Sequence, residues 1–311
     1  MLLTIVAFAG FYESARHAVH YADILAEALH GRLVLLHVSR ASPYDSYALG
    51  SDGYHRSELS HEANTASALY RQAEALHSPT TVEIATDLLP AVAQDVAQRH
   101  RPVLFVLGQP DLTHPAAASV AMACAELLRA GHFPLLMVPM RALATRAPHR
   151  MMIAADREPF TLAPAAQPLC QLLAQAGSDV LVAHVSSGVE DDAGCGAALR
   201  AVQASGLVGE ITPELRGYDY SDYCEGVLAA VQDTQPDLVV LLARKRSFLG
   251  ELFHRSVTAR VLARCPVPVL VLPTGASAPQ AEWHYNLTPE PGSAEATTQQ
   301  WLRQGVDWLA A

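Results

Sequence analysis

The sequence has few cysteines, and their spacing matches neither a zinc site nor a disulfide framework. No stretch of about 18 uncharged apolar residues occurs, so no segment is expected to span a membrane. The apolar start, Leu2 to Tyr12, lacks the basic region and the cleavage site of a signal peptide and fits a first β-strand. We therefore expect a cytoplasmic protein with unpaired thiols at Cys124, Cys170, Cys195, Cys224 and Cys265.

Basic residues are also scarce. There are 21 Lys and Arg against 31 Asp and Glu, which gives a formal net charge of −10, and Lys245 is the single lysine. Broad electrostatic attraction to nucleic acid or to an anionic membrane requires a basic face, so neither partner is expected. Half of the 311 residues are apolar, which is typical of a globular protein with room for two domains.

Common catalytic signatures are missing. The sequence contains no G-x-S-x-G elbow, S-x-x-K pair, H-E-x-x-H helix or Walker loop, and no pyrophosphate-type S-G-G-x-D-S loop. We therefore do not expect an enzyme.

An internal repeat dominates what the sequence does contain. At an offset of 147 residues, Arg32 to Ser39 aligns with Asp179 to Ser186, and Val6 aligns with Ile153. At an offset of 134, Arg101 to Leu107 aligns with Gln235 to Leu241, and PLLMVP aligns with PVLVLP. The chain therefore holds two copies of one unit, and copy two is shorter in its middle third.

Each copy alternates short apolar runs with helix-length stretches. Runs that are apolar on both faces indicate strands buried under helices, and the longer stretches can form the crossovers between parallel strands. The predicted strands include Leu33 to Val38, Val103 to Leu107, Leu135 to Val138, Val239 to Leu242 and Val269 to Leu272. The predicted helices include Ser14 to His30, Leu89 to His100, Ala163 to Ala176 and Asp222 to Thr234. The fold class is α/β.

Composition shifts divide the chain into four parts. Residues 1–140 form domain 1, residues 141–149 form a linker, residues 150–274 form domain 2, and residues 275–311 form a tail. A helix is predicted near the end of the tail, which also holds Trp283, Trp301 and Trp308. Such rings seldom remain in water, so this helix either packs on its own protein or docks another chain in a homodimer or a protein partner.

Three segments resemble the universal stress protein family. Pro236 to Pro273 (PDLVVLLARKRSFLGELFHRSVTARVLARCPVPVLVLP) resembles its closing strand, phosphate loop, helix and last strand. Met151 to Asp156 (MMIAAD) and Leu35 to Val38 (LLHV) resemble its first and second strands. The resemblance implies two tandem Rossmann-like domains of the adenine nucleotide alpha hydrolase type, each a mostly parallel five-stranded sheet flanked by helices. It also implies an intramolecular pseudo-dimer in which the last strands of the two copies meet.

Members of that family that bind ATP carry the pattern G-x-x-G-x9-G-[S/T]. Glycine lets the backbone approach phosphates, and amides at a helix N-terminus meet anionic oxygens. The resemblance places Leu242, Lys245, Arg255 and Ser256 at these positions of copy two, so only the serine survives. In copy one it places Gly108, Asp111, Ala121 and Met122 there, so only the first glycine survives.

The adenosine side of the site is carried over in the same way. The family's aspartate after the first strand corresponds to Asp156 in copy two and to Ala9 in copy one. The residue whose backbone faces adenine corresponds to Val185 and to Val38. The candidate site of copy two therefore comprises Asp156, Val185, Arg244, Lys245, Arg246, Arg255 and Ser256, and the remnant in copy one comprises Val38 and Gly108.

The cations of copy two leave three interpretations open. Arg244, Lys245, Arg246 and Arg255, with His254, follow a strand at its carboxyl end, where open α/β sheets place ligands. They can fill a vacated pocket with a solvated charged face, hold an anion such as a phosphate, or contact another protein.

Other polar clusters are expected to be structural. His37 and His184 are repeat-matched and are expected to be packed or hydrogen-bonded at strand ends. The acidic run Glu190 to Asp192 is expected to be a solvated loop, and Tyr218, Tyr220 and Tyr223 are expected to lead into a helix. We expect a non-catalytic stress-sensing or scaffolding protein with no cofactor. The alternative is a protein that binds ATP, another adenine nucleotide or an anion in domain 2, with slow ATPase activity as its catalytic form.

Overall fold

The described residues of copy one form five strands and four helices. The structure, a computed structural model, describes residues 2–10, 12–38, 58–111, 117–131, 133–170, 179–187, 192–244 and 256–275. The elements of copy one, in chain order, are β1 (Thr4–Phe8), α1 (Glu13–Ala28), β2 (Arg32–Val38), α2 (Glu58–Glu74), β3 (Thr80–Ala85), α3 (Leu89–Arg99), β4 (Val103–Gln109), α4 (Ala117–Gly131) and β5 (Leu135–Pro139).

Among the described residues, copy two repeats this order except between its first two long strands, where a two-residue strand follows the first of them. Its elements are β6 (Arg150–Ala154), β7 (Thr161–Leu162), β8 (Asp179–Ser186), α5 (Asp192–Ala204), β9 (Glu214–Asp219), α6 (Tyr223–Thr234), β10 (Leu238–Ala243), α7 (Val257–Arg264) and β11 (Val269–Gly275).

The strands join into one sheet that runs through both copies, in the order β3-β2-β1-β4-β5-β11-β10-β6-β8-β9. Along this path, every neighbouring pair within one copy is parallel, as expected for buried apolar strands connected by helices, whereas the short β7, which lies off the path, pairs antiparallel with β11. The predicted α/β fold class with mostly parallel five-stranded sheets is confirmed.

The two copies meet through their last strands. β5 and β11 pair antiparallel, with Leu270 opposite Leu136 at the centre of the pair. This is the contact between last strands that the sequence predicts, and it is compatible with an intramolecular pseudo-dimer. It also pairs two strands that would otherwise expose an unsatisfied edge.

Two hydrophobic cores lie on opposite faces of the sheet because successive strand residues point to opposite sides. One core includes Phe105 of copy one together with Val271 of copy two. The other includes Leu136 and Leu270. Each core is therefore continuous across the junction, and residues 1–277 form one compact unit.

The predicted linker, residues 141–149, lies between β5 and β6. Residues 276–311 lie outside the described residues, and so do the predicted tail helix and its tryptophans. In the part of the chain that the structure does describe, no helix is both long enough and apolar enough to cross a membrane.

We predict that the two leucines at the centre of the junction are energetically coupled. Leu136→Ala and Leu270→Ala should each lower the free energy of unfolding by about 2 to 5 kcal/mol, because both side chains are almost completely buried. In the double variant the losses should depart from additivity by roughly 0.5 to 3 kcal/mol, because the residues are direct partners. Urea unfolding measures all three.

Leu143→Ala serves as the control, because that side chain is 82% exposed and its loss should change stability by less than about 0.5 kcal/mol. Strict additivity of the two junction substitutions would contradict direct packing across the junction.

Candidate functional site

A cleft of about 670 Å³ lies at the carboxyl ends of the strands of copy two. Its walls come from the segments that follow β6, β8 and β10 and from the first residues of α6 and α7. The strand order reverses between β6 and β10, and this is where open α/β sheets hold ligands. The position of the cleft therefore makes it the candidate functional site.

The chain after β6 shapes this cleft. In copy one a helix begins five residues after β1, at Glu13, whereas in copy two the residues after β6 run to β7, which pairs antiparallel with β11. Of the predicted helix Ala163 to Ala176, residues 167–170 are helical and residues 171–176 lie outside the described residues. The two copies therefore differ at the position of the candidate site.

An ion pair between Arg244 and Asp156 lies at the mouth of the cleft. Arg244 Nη2 donates to Asp156 Oδ1 at 2.5 Å, and Arg244 Nε donates to Asp156 Oδ2 at 3.1 Å. This two-pronged geometry is the strong form of an arginine–carboxylate pair. The Arg244 side chain is 17% exposed and that of Asp156 is 54% exposed, so the arginine is the more enclosed partner.

Arg244 also holds the segment that follows Asp156. Its Nη2 donates to the carbonyl of Glu158 at 2.7 Å, its Nη1 donates to the carbonyl of Pro159 at 3.3 Å, and Nη1 lies 3.5 Å from Glu158 Oε2. The sequence singles out Arg244 and Asp156 as separate ligand contacts. In the structure they bind each other, and Arg244 fastens one wall of the cleft.

The main chain of Val185 lies at the top of β8, beside the end of β6. The carbonyl of Ala183 accepts a hydrogen bond from the amide of Ala155, which follows β6. Backbone groups alternate in direction along a strand, so the groups of Val185 point the same way, above the end of β6 and toward the cleft. Gly226 allows α6 to approach closely, because a Cβ there would lie 2.4 Å from Val185 Cγ1.

The remaining predicted site residues lie on or beyond the phosphate-loop positions. Ser256 is the N-cap of α7, and its hydroxyl accepts a hydrogen bond from the amide of Ala259 at 3.1 Å. Leu242 lines the cleft where the family pattern has a glycine. Lys245, Arg246 and Arg255, like His254, lie outside the described residues.

Several cleft residues are absent from the predicted set. Arg157 and Glu158 follow Asp156 directly, and Tyr223 and Thr258 come from the starts of α6 and α7. Tyr223 appears in the sequence only as part of the approach to a helix. Its place at the cleft depends on how α6 packs over β8, which local sequence does not reveal.

Each copy contains an equivalent contact between a histidine near the end of its second long strand and the carbonyl of a residue that follows its first strand. His37 Nδ1 lies 3.2 Å from the carbonyl of Ala9, and His184 Nδ1 lies 3.0 Å from the carbonyl of Ala155. Both histidines are 5% exposed. The prediction of packed, hydrogen-bonded histidines at the strand ends is confirmed.

The same contacts correct the alignment of the first strands. β1 pairs Thr4 with Arg32, and β6 pairs Arg150 with Asp179, so Ala9 corresponds to Ala155. The position of Asp156 in copy one is therefore Gly10, and the predicted equivalence with Ala9 is wrong by one residue. The alanine-rich strand ends allowed either alignment. In either alignment, copy one has no aspartate at this position.

Gly108, the remnant glycine of copy one, has a packing role. A Cβ at this position would lie 2.0 Å from the carbonyl oxygen of Ser14, in the first turn of α1. A glycine here therefore admits the backbone of α1, independently of any phosphate. Val38, at the end of β2, is 1% exposed.

Two ion pairs join the helices that border the cleft. Asp222, the N-cap of α6, accepts hydrogen bonds from Arg260 Nη1 at 2.7 Å and Nη2 at 3.0 Å, and Glu225 pairs with Arg264 at 2.5 Å. The Arg260 guanidinium, followed by the amide of Glu225, lowers the pKa of Asp222. A carboxylate with a lowered pKa keeps its partner until the pH falls through that pKa, so α6 and α7 stay linked at neutral pH.

The described residues contain no cluster of three or more His, Cys, Asp or Glu side chains that could hold a metal ion. Asp192 begins α5, and the other residues of the acidic run, Glu190 and Asp191, lie outside the described residues.

Residues 1–139 and 219–273 match the model of the universal stress protein family. The chain belongs to the universal stress protein family. The two matched segments come from the two copies, which is consistent with a tandem member of the family. No curated protein matches the chain significantly.

Solved universal stress proteins share the fold of this chain over 87–88% of its length. One from Archaeoglobus fulgidus has 15% identity and a TM-score of 0.60, with 88% of this chain and 98% of that chain covered. A putative universal stress protein from Pseudomonas aeruginosa has 14% identity and a TM-score of 0.50, with 87% and 93% covered. At this identity the likeness concerns the fold alone.

We predict that Gly108 of this universal stress protein does not tolerate a side chain. Gly108→Ala should lower the free energy of unfolding by about 1 to 3 kcal/mol, because the new methyl group would press on the backbone of Ser14 rather than on a movable side chain. Chemical denaturation measures the loss.

Gly196→Ala is the matched control. Gly196 lies inside α5, where a Cβ would meet only the tip of the Arg200 side chain at 3.4 Å. This change should raise stability by about 0.5 to 1 kcal/mol because alanine favours the helix. An equal response of the two glycines would refute the packing role of Gly108.

Proposed function

We propose that this universal stress protein has a non-catalytic sensing or scaffolding role in a cytoplasmic stress response, and that neither copy holds ATP in the family's manner. The observation that carries the proposal is the ion pair between Arg244 and Asp156. It engages both carboxylate oxygens of the residue that would otherwise receive the nucleoside.

Nucleoside binding at Asp156 would require this pair to open. A ribose hydroxyl would donate a charge-assisted hydrogen bond to the carboxylate, but it carries no positive charge, so it would not replace the two-pronged ion pair with Arg244. Opening the pair would also release the carbonyls of Glu158 and Pro159 from the guanidinium. The nucleoside would therefore have to replace four hydrogen bonds that lie within the protein.

The phosphate side of the cleft is equally unsuited to the family's mode of binding. Leu242 places a branched side chain where glycine lets phosphate approach the backbone. The hydroxyl of Ser256 already accepts a hydrogen bond from the amide of Ala259. Glu158 adds negative charge to the cleft beside Asp156. Copy one lacks the aspartate, and its remaining glycine accommodates Ser14.

The second candidate function is an adenine-nucleotide or anion-binding protein, with slow ATPase activity as its catalytic form, that uses copy two. The size of the cleft favours it, since about 670 Å³ lies within the range of small-molecule sites. The main chain of Val185, directed at the cleft, could pair with an adenine edge. Arg244 could exchange Asp156 for a phosphate.

Scaffolding would use the joined copies as an intramolecular pseudo-dimer and the tail, residues 275–311, as the contact for a second copy or another protein. Its tryptophans are the residues in this segment best suited to anchor an interface. Sedimentation of the full chain and of a Trp301→Ala, Trp308→Ala variant tests this contact. An unchanged mass would speak against self-association through the tail.

We predict that releasing Asp156 creates nucleoside binding that the natural chain lacks. Calorimetric titration with adenosine, AMP, ADP and ATP should give no saturable heat for the natural chain. Arg244→Gln removes the charge that holds Asp156 and should bind adenosine. Arg264→Gln removes an arginine of α7 that does not line the cleft, and it should behave like the natural chain.

Micromolar ATP binding by the natural chain that disappears in Asp156→Asn would overturn the proposal and support the second candidate. Phosphate release from ATP by the same preparation would then decide between simple binding and slow hydrolysis.

A further inference from the structure

A second cavity, of about 240 Å³, lies at the junction of the two copies. Copy one contributes Val120 and Cys124 from α4 and Met137 from β5, and copy two contributes Ala259 and Leu262 from α7. The cavity therefore exists only because the last strands of the copies pair and bring α4 and α7 together.

The lining of this cavity is almost wholly apolar. Among the described residues that line it, the one polar side chain is Gln109, and its Nε2 already donates to the carbonyl of Ala263 at 2.6 Å. Cys124 is 1% exposed, and burial raises the pKa of its thiol, so it remains neutral. An ordered water typically makes about two to four hydrogen bonds, and the described lining residues offer it few polar partners.

We propose that the junction cavity binds a small, neutral, apolar molecule of about ten non-hydrogen atoms, aromatic or branched aliphatic. An apolar cavity of about 150 Å³ is large enough to take up benzene, so the larger volume here suits a substituted ring. Charged or phosphorylated molecules are excluded, because their desolvation would find no compensating partner.

This site is separate from the cleft of copy two. Helix α7 borders both, but Val257 and Thr258 face the cleft, whereas Ala259 and Leu262 line the cavity. The chemistry also differs, since the cleft carries four charged side chains and the cavity carries none among its described lining residues. Nucleotide titrations therefore report on the cleft and leave the cavity untested.

Methyl NMR with n-butylbenzene as the probe tests the proposal directly. In the full chain labelled at its methionine methyl groups, the Met137 signal should shift saturably as the probe is added, because this side chain lines the cavity. Met152, buried in copy two, and Met122, which is 55% exposed on α4, should keep their positions. The melting temperature should rise with probe concentration.

Filling the cavity from either wall should abolish the effect. Ala121→Leu on α4 and Ala263→Leu on α7 both add volume to the lining, so the Met137 shift should be lost in each. Ala91→Leu, an exposed position on α3, is the matched control and should retain the full shift. Because the two filling variants lie on opposite walls, the test remains informative if one of them fails to fold.

The proposal is overturned if Met137 does not respond to n-butylbenzene at saturation in the natural chain. It is equally overturned if both folded filling variants respond as strongly as the natural chain, because the probe would then bind elsewhere.

Discussion

The antiparallel pairing of β5 with β11 is the constraint on which the rest of the structure depends. It turns two five-stranded sheets into one path of ten strands and makes both hydrophobic cores continuous across the junction. Leu136 and Leu270 oppose each other at its centre, each from the equivalent position of its copy. The same pairing sets α4 beside α7 and so creates the junction cavity. A chain with independent domains would have neither feature.

The copies share a sheet but differ at their ligand positions. In copy one the first turn of α1 rests on Gly108, and the aspartate is replaced by Gly10. In copy two the chain that follows β6 runs to the short strand β7, and Arg244 holds this segment through its bonds to Asp156. The repeated histidine contact beneath each site is retained in both. The two copies therefore share the sheet and the histidine contact, whereas the residues at their ligand positions differ.

Much of the fold follows from sequence, because buried parallel strands read as short runs that are apolar on both faces. The five predicted strands and the pairing of the last two agree with the structure. The short β7 was not predicted, since two residues carry no periodicity. The predicted alignment of the first strands was wrong by one residue. A sequence pattern does not distinguish Ala154 from Ala155, whereas the hydrogen bond that the amide of Ala155 donates does. Arg244 and Asp156 lie 88 residues apart, so no local pattern could predict their pairing.

The central claim is that both copies fold and unfold as one unit held at the β5–β11 pair. Native-state hydrogen exchange of the amides in Leu135–Pro139 and Val269–Gly275 tests it most directly. The account predicts that the central amides of both strands exchange only through global unfolding, with one shared free energy and one denaturant dependence. Exchange of β11 at a lower free energy than β5, with a smaller denaturant dependence, would show that copy two opens alone and would contradict it.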